Sequence, residues 1–305
     1  MKNWLRKIAV VLFGFGQMAN ASDIPNFAET EQDAKQGNAA SQFNLGLMYY
    51  LGKGAPKDYK QAEHWFRRAA EQGDVDAQSN LGGLYYKGQG VAQDYEQAKY
   101  WFQKAAAQGF AKAQYDLGII YFFGKGIEQD YDQAARWYEK AAEQGYLDAQ
   151  YNLAIMYDNG FGVSKDRSKA VEWYRKAAEQ GDNQAQYTLA TRYMHGVGIQ
   201  KDFKQAVQWL RRAADQENIK AQLDLGVAYH NGFGVRQDEK QALYWYRKAA
   251  EQGSSEAQYN LGVMYHYGQG VPQNQSVAKE WFSKACHNGS QQGCDAYQKL
   301  DQTGY

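Results

Sequence analysis

The stretch DVDAQSNLGGLYYKGQGVAQDYEQAKYWFQKAAAQG, Asp74 to Gly109, decides the fold. Ala77, Leu81, Leu84, Tyr85 and Gly88 recur at steps of three and four, which is one face of an α-helix. Gly88-Gln89-Gly90 stops that helix, because glycine enters the left-handed conformation of a C-cap without a Cβ penalty. Asp94 then opens a second helix. Its carboxylate suits the free N–H groups of the first turn, and Gln97 is placed to reach back as a capping box. Ala98, Trp101, Phe102, Ala105 and Ala106 form the buried stripe of this second helix, where small Ala beside large Trp lets two helices interlock. Gly109 closes the unit.

Moving outward, Leu45, Leu81, Leu117, Leu153, Leu189, Leu225 and Leu261 keep a step of 36 residues, and so do Trp65, Trp101, Trp137, Trp173, Trp209, Trp245 and Trp281. The Gly pairs from Gly52 and Gly54 to Gly268 and Gly270 share the period, and Asp-x-x-Gln returns at Asp58, Asp130, Asp202 and Asp238. Each copy is one helix-turn-helix unit that buries its apolar face only against its neighbours, so the expected fold is an all-α solenoid. The units span 38–73, 74–109, 110–145, 146–181, 182–217, 218–253 and 254–289. Residues 22–37 read as an N-terminal capping helix, with Glu29 in the Trp slot, and 290–305 as a C-terminal half-repeat, with Tyr297 in the Leu slot. The fifth unit lacks its closing Gly: Glu217 stands there, and Asn218 is the candidate left-handed residue.

Composition removes several function classes. The 305 residues carry 34 basic and 34 acidic side chains, so no cationic excess marks a nucleic-acid surface. Lys2, Arg6 and Lys7, the apolar run Ile8 to Phe15, and Ala19-Asn20-Ala21 read as a signal peptide over 1–21, with Ser22 opening the mature chain. The apolar run is too short to span a bilayer, and no later segment is a membrane candidate. A periplasmic or secreted bacterial location is therefore expected, with no integral membrane segment once the signal is removed.

Ala257-Gln258-Tyr259-Asn260-Leu261-Gly262-Val263-Met264-Tyr265, followed by Gly268-Gln269-Gly270-Val271, strongly resembles the Sel1-like repeat family, a relative of the tetratricopeptide repeat. The resemblance covers roughly residues 38 to 289, with Ala154 and Ala190 in place of the Gly after Leu and Asn274 in place of the capping Asp. It implies a right-handed superhelix that serves as an adaptor. Secreted bacterial members act in envelope assembly, signalling regulation or contact with host proteins. The expected partner is a protein or peptide, bound by a monomer without a cofactor.

In tetratricopeptide arrays the first helices line the concave face. Carried over position by position, this points to Phe43, Tyr115, Tyr151, Tyr187 and Tyr259 at the fifth position, and to Tyr50, Tyr86 and Phe122 at the twelfth. Asn44, Asn80, Asn152 and Asn260 fall at the sixth, where related repeats use Asn to hold extended peptides. Tyr supplies contact area at low entropic cost. The same rings are equally suited to packing between adjacent units.

The competing reading is a cell-wall or β-lactam hydrolase, since some cysteine-rich secreted members of the resembling family are described as penicillin-binding proteins or β-lactamases. Ser276-Val277-Ala278-Lys279 matches S-x-x-K, but Ser276 occupies a solvated slot held elsewhere by Lys60, Glu96 or Asp132, and neither S-D-N nor K-T-G accompanies it. His230 and His266 share a register, yet no metal motif is present. Each G-x-G follows a helix, which argues for capping rather than nucleotide binding.

The only cysteines are Cys286 and Cys294. An even count in an exported chain favours a disulfide. Cys286 takes the slot of Ala70 or Ala106, and Cys294 that of Gln78 or Gln114, on helices joined by a short turn. Two free buried thiols or a metal site are the alternatives, and the second lacks a convincing fourth ligand beyond His287.

Overall fold

A computed structural model describes residues 26–302. The expected signal segment, residues 1–21, lies outside them. Sixteen α-helices and no strand occur among the described residues. Two compact units divide the chain, Met1–Lys165 and Asp166–Tyr305. The first holds α1 (Phe27–Lys35), α2 (Ala39–Leu51), α3 (Tyr59–Glu71), α4 (Val75–Lys87), α5 (Tyr95–Ala107), α6 (Ala111–Phe123), α7 (Tyr131–Glu143) and α8 (Leu147–Asn159). The second holds α9 (Arg167–Glu179), α10 (Asn183–His195), α11 (Phe203–Asp215), α12 (Ile219–Asn231), α13 (Glu239–Glu251), α14 (Ser255–Tyr267), α15 (Gln275–His287) and α16 (Gln291–Gln302).

Every second helix starts where the sequence placed it. The Asp58 carboxylate accepts from Lys60 N at 2.8 Å and from Gln61 N at 3.1 Å, and Asp94 accepts from Gln97 N at 3.0 Å. The return arm of the expected capping box is absent. The Asp94 N–H donates instead to the Tyr85 carbonyl at 3.0 Å, and the Asp58 N–H to that of Tyr49 at 2.9 Å. Once the cap's N–H is tied to the preceding helix, a Gln side chain has nothing there to satisfy.

The two glycines of each G-x-G do different work. Gly88 has φ +69° and ends α4 as a left-handed C-cap. Gly90 has φ +75°, and a Cβ there would lie 2.3 Å from the Tyr59 carbonyl oxygen in the preceding repeat. The first glycine thus serves its own helix, and the second admits the neighbouring backbone. At the fifth closing position, Glu217 itself adopts φ +63°. Asn218 is extended at φ −67° and caps α12 by accepting from Ala221 N at 3.0 Å. The expectation of a left-handed Asn218 is therefore corrected. The turn geometry is fixed by register, and Asn contributes more as an N-cap than as a strained hinge.

The core lies between the two helices of each repeat. Leu45, Leu81, Leu117 and Leu153 in the first unit, and Leu189, Leu225 and Leu261 in the second, are all fully buried. The Gly after Leu meets a ring from the following helix. A Cβ at Gly82 would stand 2.8 Å from the Phe102 ring, and one at Gly118 only 2.4 Å from that of Tyr138.

Buried amides link successive repeats. Gln78 Nε2 donates to the Ala70 carbonyl at 3.1 Å, while Gln78 Oε1 accepts from Gln108 Nε2 at 2.9 Å. The arrangement recurs at Gln42 with Gln72, Gln114 with Gln144, Gln186 with Gln216, and Gln222 with Gln252. Asn288 completes it on Gln258 at 2.9 Å. In the last register Cys294 replaces the Gln and is disulfide-bonded to Cys286, which replaces the Ala. A covalent bond stands where the other repeats use an amide–carbonyl hydrogen bond.

Candidate functional site

The residues expected on the partner-binding face fall into two groups. In the first unit, Tyr115 and Phe122 are each only 2% exposed. Tyr115 lies 5.7 Å from the Tyr138 ring and 5.0 Å from that of Tyr146. Phe122 packs at 5.1 Å from Tyr131 and 6.1 Å from Phe161, which stack on each other at 5.0 Å. Asn152 is also buried and lies against the buried Tyr138 hydroxyl. Burial pushes the Tyr138 phenol well above its usual range. Tyr115, Phe122 and Asn152 are buried, the packing role that the sequence left open beside a contact surface. A large ring between two helices gains more from burial than from facing water.

The other members are half-buried. Phe43 leans on Phe66 at 5.8 Å. The Tyr50 hydroxyl donates to Gln89 Oε1 at 3.2 Å, and its ring meets Tyr59 edge-on at 5.2 Å. Tyr86 repeats that contact on Tyr95 at 5.3 Å, and burial pushes its phenol up to about 12. Asn44, Asn80 and Tyr151 keep part of their surface in solvent. Asp116, which takes the Asn slot in the third repeat, is buried beside Lys112 at 3.0 Å, and burial raises its carboxyl above the usual range.

In the second unit, the Tyr187 hydroxyl donates to Asp224 Oδ2 at 3.1 Å. Desolvation is the first cause that raises the Asp224 carboxyl. Tyr259 lies 5.6 Å from Phe282, and Asn260 is half-buried. His230 does not meet His266 through a shared contact. Its Nδ1 sits 2.9 Å from Glu239, and His266 is held by Gln275. No group of three or more His, Cys, Asp or Glu among the described residues is placed to hold a metal ion. Ser276 is exposed, and Lys279 pairs with Asp301 at 2.7 Å.

Two clefts in this unit were not expected. One, of about 290 Å³, lies between α10, α11 and α12 and is walled by Met194, Phe203, Leu210, Val227 and Phe233. The other, of about 550 Å³, has Tyr259, His266, Phe282 and Leu300 in its wall. They share a register, since Met194 and Leu210 correspond to His266 and Phe282. The signal for the first was in the sequence. Leu210 stands where the other repeats carry Phe66, Phe102, Tyr138, Tyr174, Tyr246 and Phe282.

The Sel1 repeat model matches residues 39–74, 75–110, 111–146, 147–182, 183–218, 219–254 and 255–290. The chain belongs to the Sel1 repeat family. This Sel1 protein is similar to a protective antigen present in uropathogenic Escherichia coli strains, at 35% identity and a TM-score of 0.84. The match covers 92% of this chain and 65% of the antigen, so the chain spans less than two thirds of that relative. It is also similar to a Sel1 repeat protein from Oxalobacter formigenes, at 35% identity and a TM-score of 0.70, covering 98% of this chain and 85% of the other. No curated protein matches. Sel1 repeats typically mediate protein interactions, and the family's structural relatives are mostly non-catalytic scaffolds. No helix among the described residues is long and apolar enough to cross a membrane.

Proposed function

We propose that this Sel1 protein is an exported, monomeric, non-catalytic scaffold that holds a peptide or protein segment along the first helices of its repeats, on the concave face. The observation that carries the reading is a register of part-exposed amide and aromatic side chains on successive first helices. Asn44 and Asn80 present it in the first unit, Tyr187, Tyr259 and Asn260 in the second. An Asn side chain offers a donor and an acceptor to an extended backbone, and the rings beside it add contact area. The disulfide and the bacterial origin of the similar structures support export.

The test is capture of partners from bacterial envelope extracts by the full chain and by Asn44→Ala/Asn80→Ala. The expected result is loss of the main captured protein by about fivefold or more, with the helical signal unchanged. Undiminished capture by the double variant would move the binding surface off the first helices.

A further inference from the structure

Fifth and seventh repeats leave open a groove that large rings line or fill in the first unit. In the third repeat, Phe122, Tyr131 and Phe161 form an aromatic trio there. In the fifth, Phe203 and Phe233 stack at 5.2 Å with planes 15° apart, but the third place is held by slender Met194. The second difference lies below it. In the sixth and seventh repeats a glycine abuts a ring, and a Cβ at Gly226 or Gly262 would come within 2.5 Å or 2.4 Å of Tyr246 or Phe282. In the fifth, Ala190 and Leu210 stand at those positions. Ala154 is followed in the same register by Tyr174, so an alanine alone does not dictate loss of the ring.

The cavity of about 290 Å³ that results has room for one bulky side chain, at the lower end of ligand-site volumes. Its outer lip is Phe233, which remains 45% exposed although it is a large apolar side chain. Its polar wall is Asp224. That carboxylate accepts a hydrogen bond from Tyr187 and has no ion-pair partner among the described residues. Glu256 adds negative charge nearby. The opposing charges are His195 and Lys201 in the lining and Lys220 close by. Lys201 is engaged over the outer ring of Phe203 at 4.6 Å. Asp224 faces the cavity with Tyr187 as its one hydrogen-bond partner among the described residues, so an incoming cation gains from meeting it.

We infer that the cavity between α10, α11 and α12 is an anchor pocket for a bulky apolar side chain of a partner segment that carries a basic group beside it. The ring or aliphatic group fills the space under Phe233, and the cation faces Asp224. This rests on the scaffold reading only in taking the occupant to be part of a protein. Single anchors in desolvated pockets carry much of the affinity at many interfaces.

The probes are phenethylamine, which joins a ring to an ammonium, phenylacetate, which reverses the charge, and butylamine, which lacks the ring. Each is titrated into the full chain while the methyl signals of Val207 and Val227 are followed by carbon NMR. Phenethylamine is expected to shift them saturably, and the other two to bind about fivefold or more weakly. Met194→Phe rebuilds the aromatic trio, and Ala190→Gly/Leu210→Phe rebuilds the glycine–ring pair. Both fill the pocket with packing the chain already uses, and both are expected to weaken phenethylamine by about fivefold or more while the helical signal persists. Asp224→Asn is expected to remove the preference for phenethylamine over phenylacetate. Absence of saturable binding, equal binding of phenylacetate, or undiminished binding in both filled variants overturns the pocket. None of these outcomes bears on Asn44 and Asn80, which lie in the other unit, so the scaffold reading stands or falls separately.

Discussion

A methyl group added at Gly82 would lie 2.8 Å from the Phe102 ring, well inside contact distance, and the ring is 1% exposed with little room to retreat. Gly82→Ala is therefore expected to cost about 1–3 kcal/mol in urea unfolding. Glu217 is the opposite case. Its neighbours tolerate it, but its backbone is left-handed at φ +63°. Relief of that strain, about 1–2 kcal/mol, outweighs glycine's extra freedom in the unfolded chain, about 0.4–1 kcal/mol. Glu217→Gly is expected to raise the unfolding midpoint, and a fall would refute the strain. Asp116 gives a pH signature. Burial raises its carboxyl, so the fold favours the protonated form. That contribution is full below the ordinary carboxylate pKa and is lost as pH rises through the folded value. Asp116→Asn should gain on the wild type as pH rises above about 4, the ordinary carboxylate value, and a parallel stability curve would exclude the effect. Sequence reading located Glu217 by period alone. It assigned the left-handed turn to Asn218 because Asn tolerates that conformation, without weighing that the same side chain is worth more as a cap.

At the level of the helix pair, the buried amides explain why Gln recurs where a purely apolar stripe would also pack. Gln78 joins Ala70 of its own turn to Gln108 of the next repeat. Gln78→Leu removes both bonds and strands the polar atoms it served, a loss of about 1–2 kcal/mol. A result near zero would mean that water replaces the side chain. The disulfide holds the same place on α15 and α16. Closing so short a loop contributes roughly 2–3 kcal/mol in the chain-entropy account. Reduction is expected to speed amide exchange in α16 first, since that terminal helix packs mainly on α15. The helices and their caps were legible because capping and 3.6-residue periodicity are local rules. The inter-repeat Gln contacts were not, because each links residues 30 apart through side-chain rotamers that no local pattern encodes.

At the scale of the whole chain, the expected circular dichroism is that of an almost wholly helical protein, and appreciable β signal would contradict the fold. Glu217→Gly should raise amide protection in the fifth and sixth repeats and leave the first two unchanged, as nearest-neighbour coupling requires. The fold was readable because seven copies in one register repeat the same instruction. The site was only half readable. A tyrosine at the fifth position serves equally as contact or as filler: Tyr115 packs against the Tyr138 and Tyr146 rings, whereas Tyr187 reaches Asp224 through its hydroxyl. The rungs of Gln on Gln have a further consequence for heredity. Each rung joins positions in fixed register, so recombination that gains or loses one complete unit delivers every affected glutamine to an equivalent partner. A slip by one residue breaks the rung that spans the junction. The gene can therefore change copy number only in whole repeats, and such lineages should differ by multiples of the unit with no intermediate lengths.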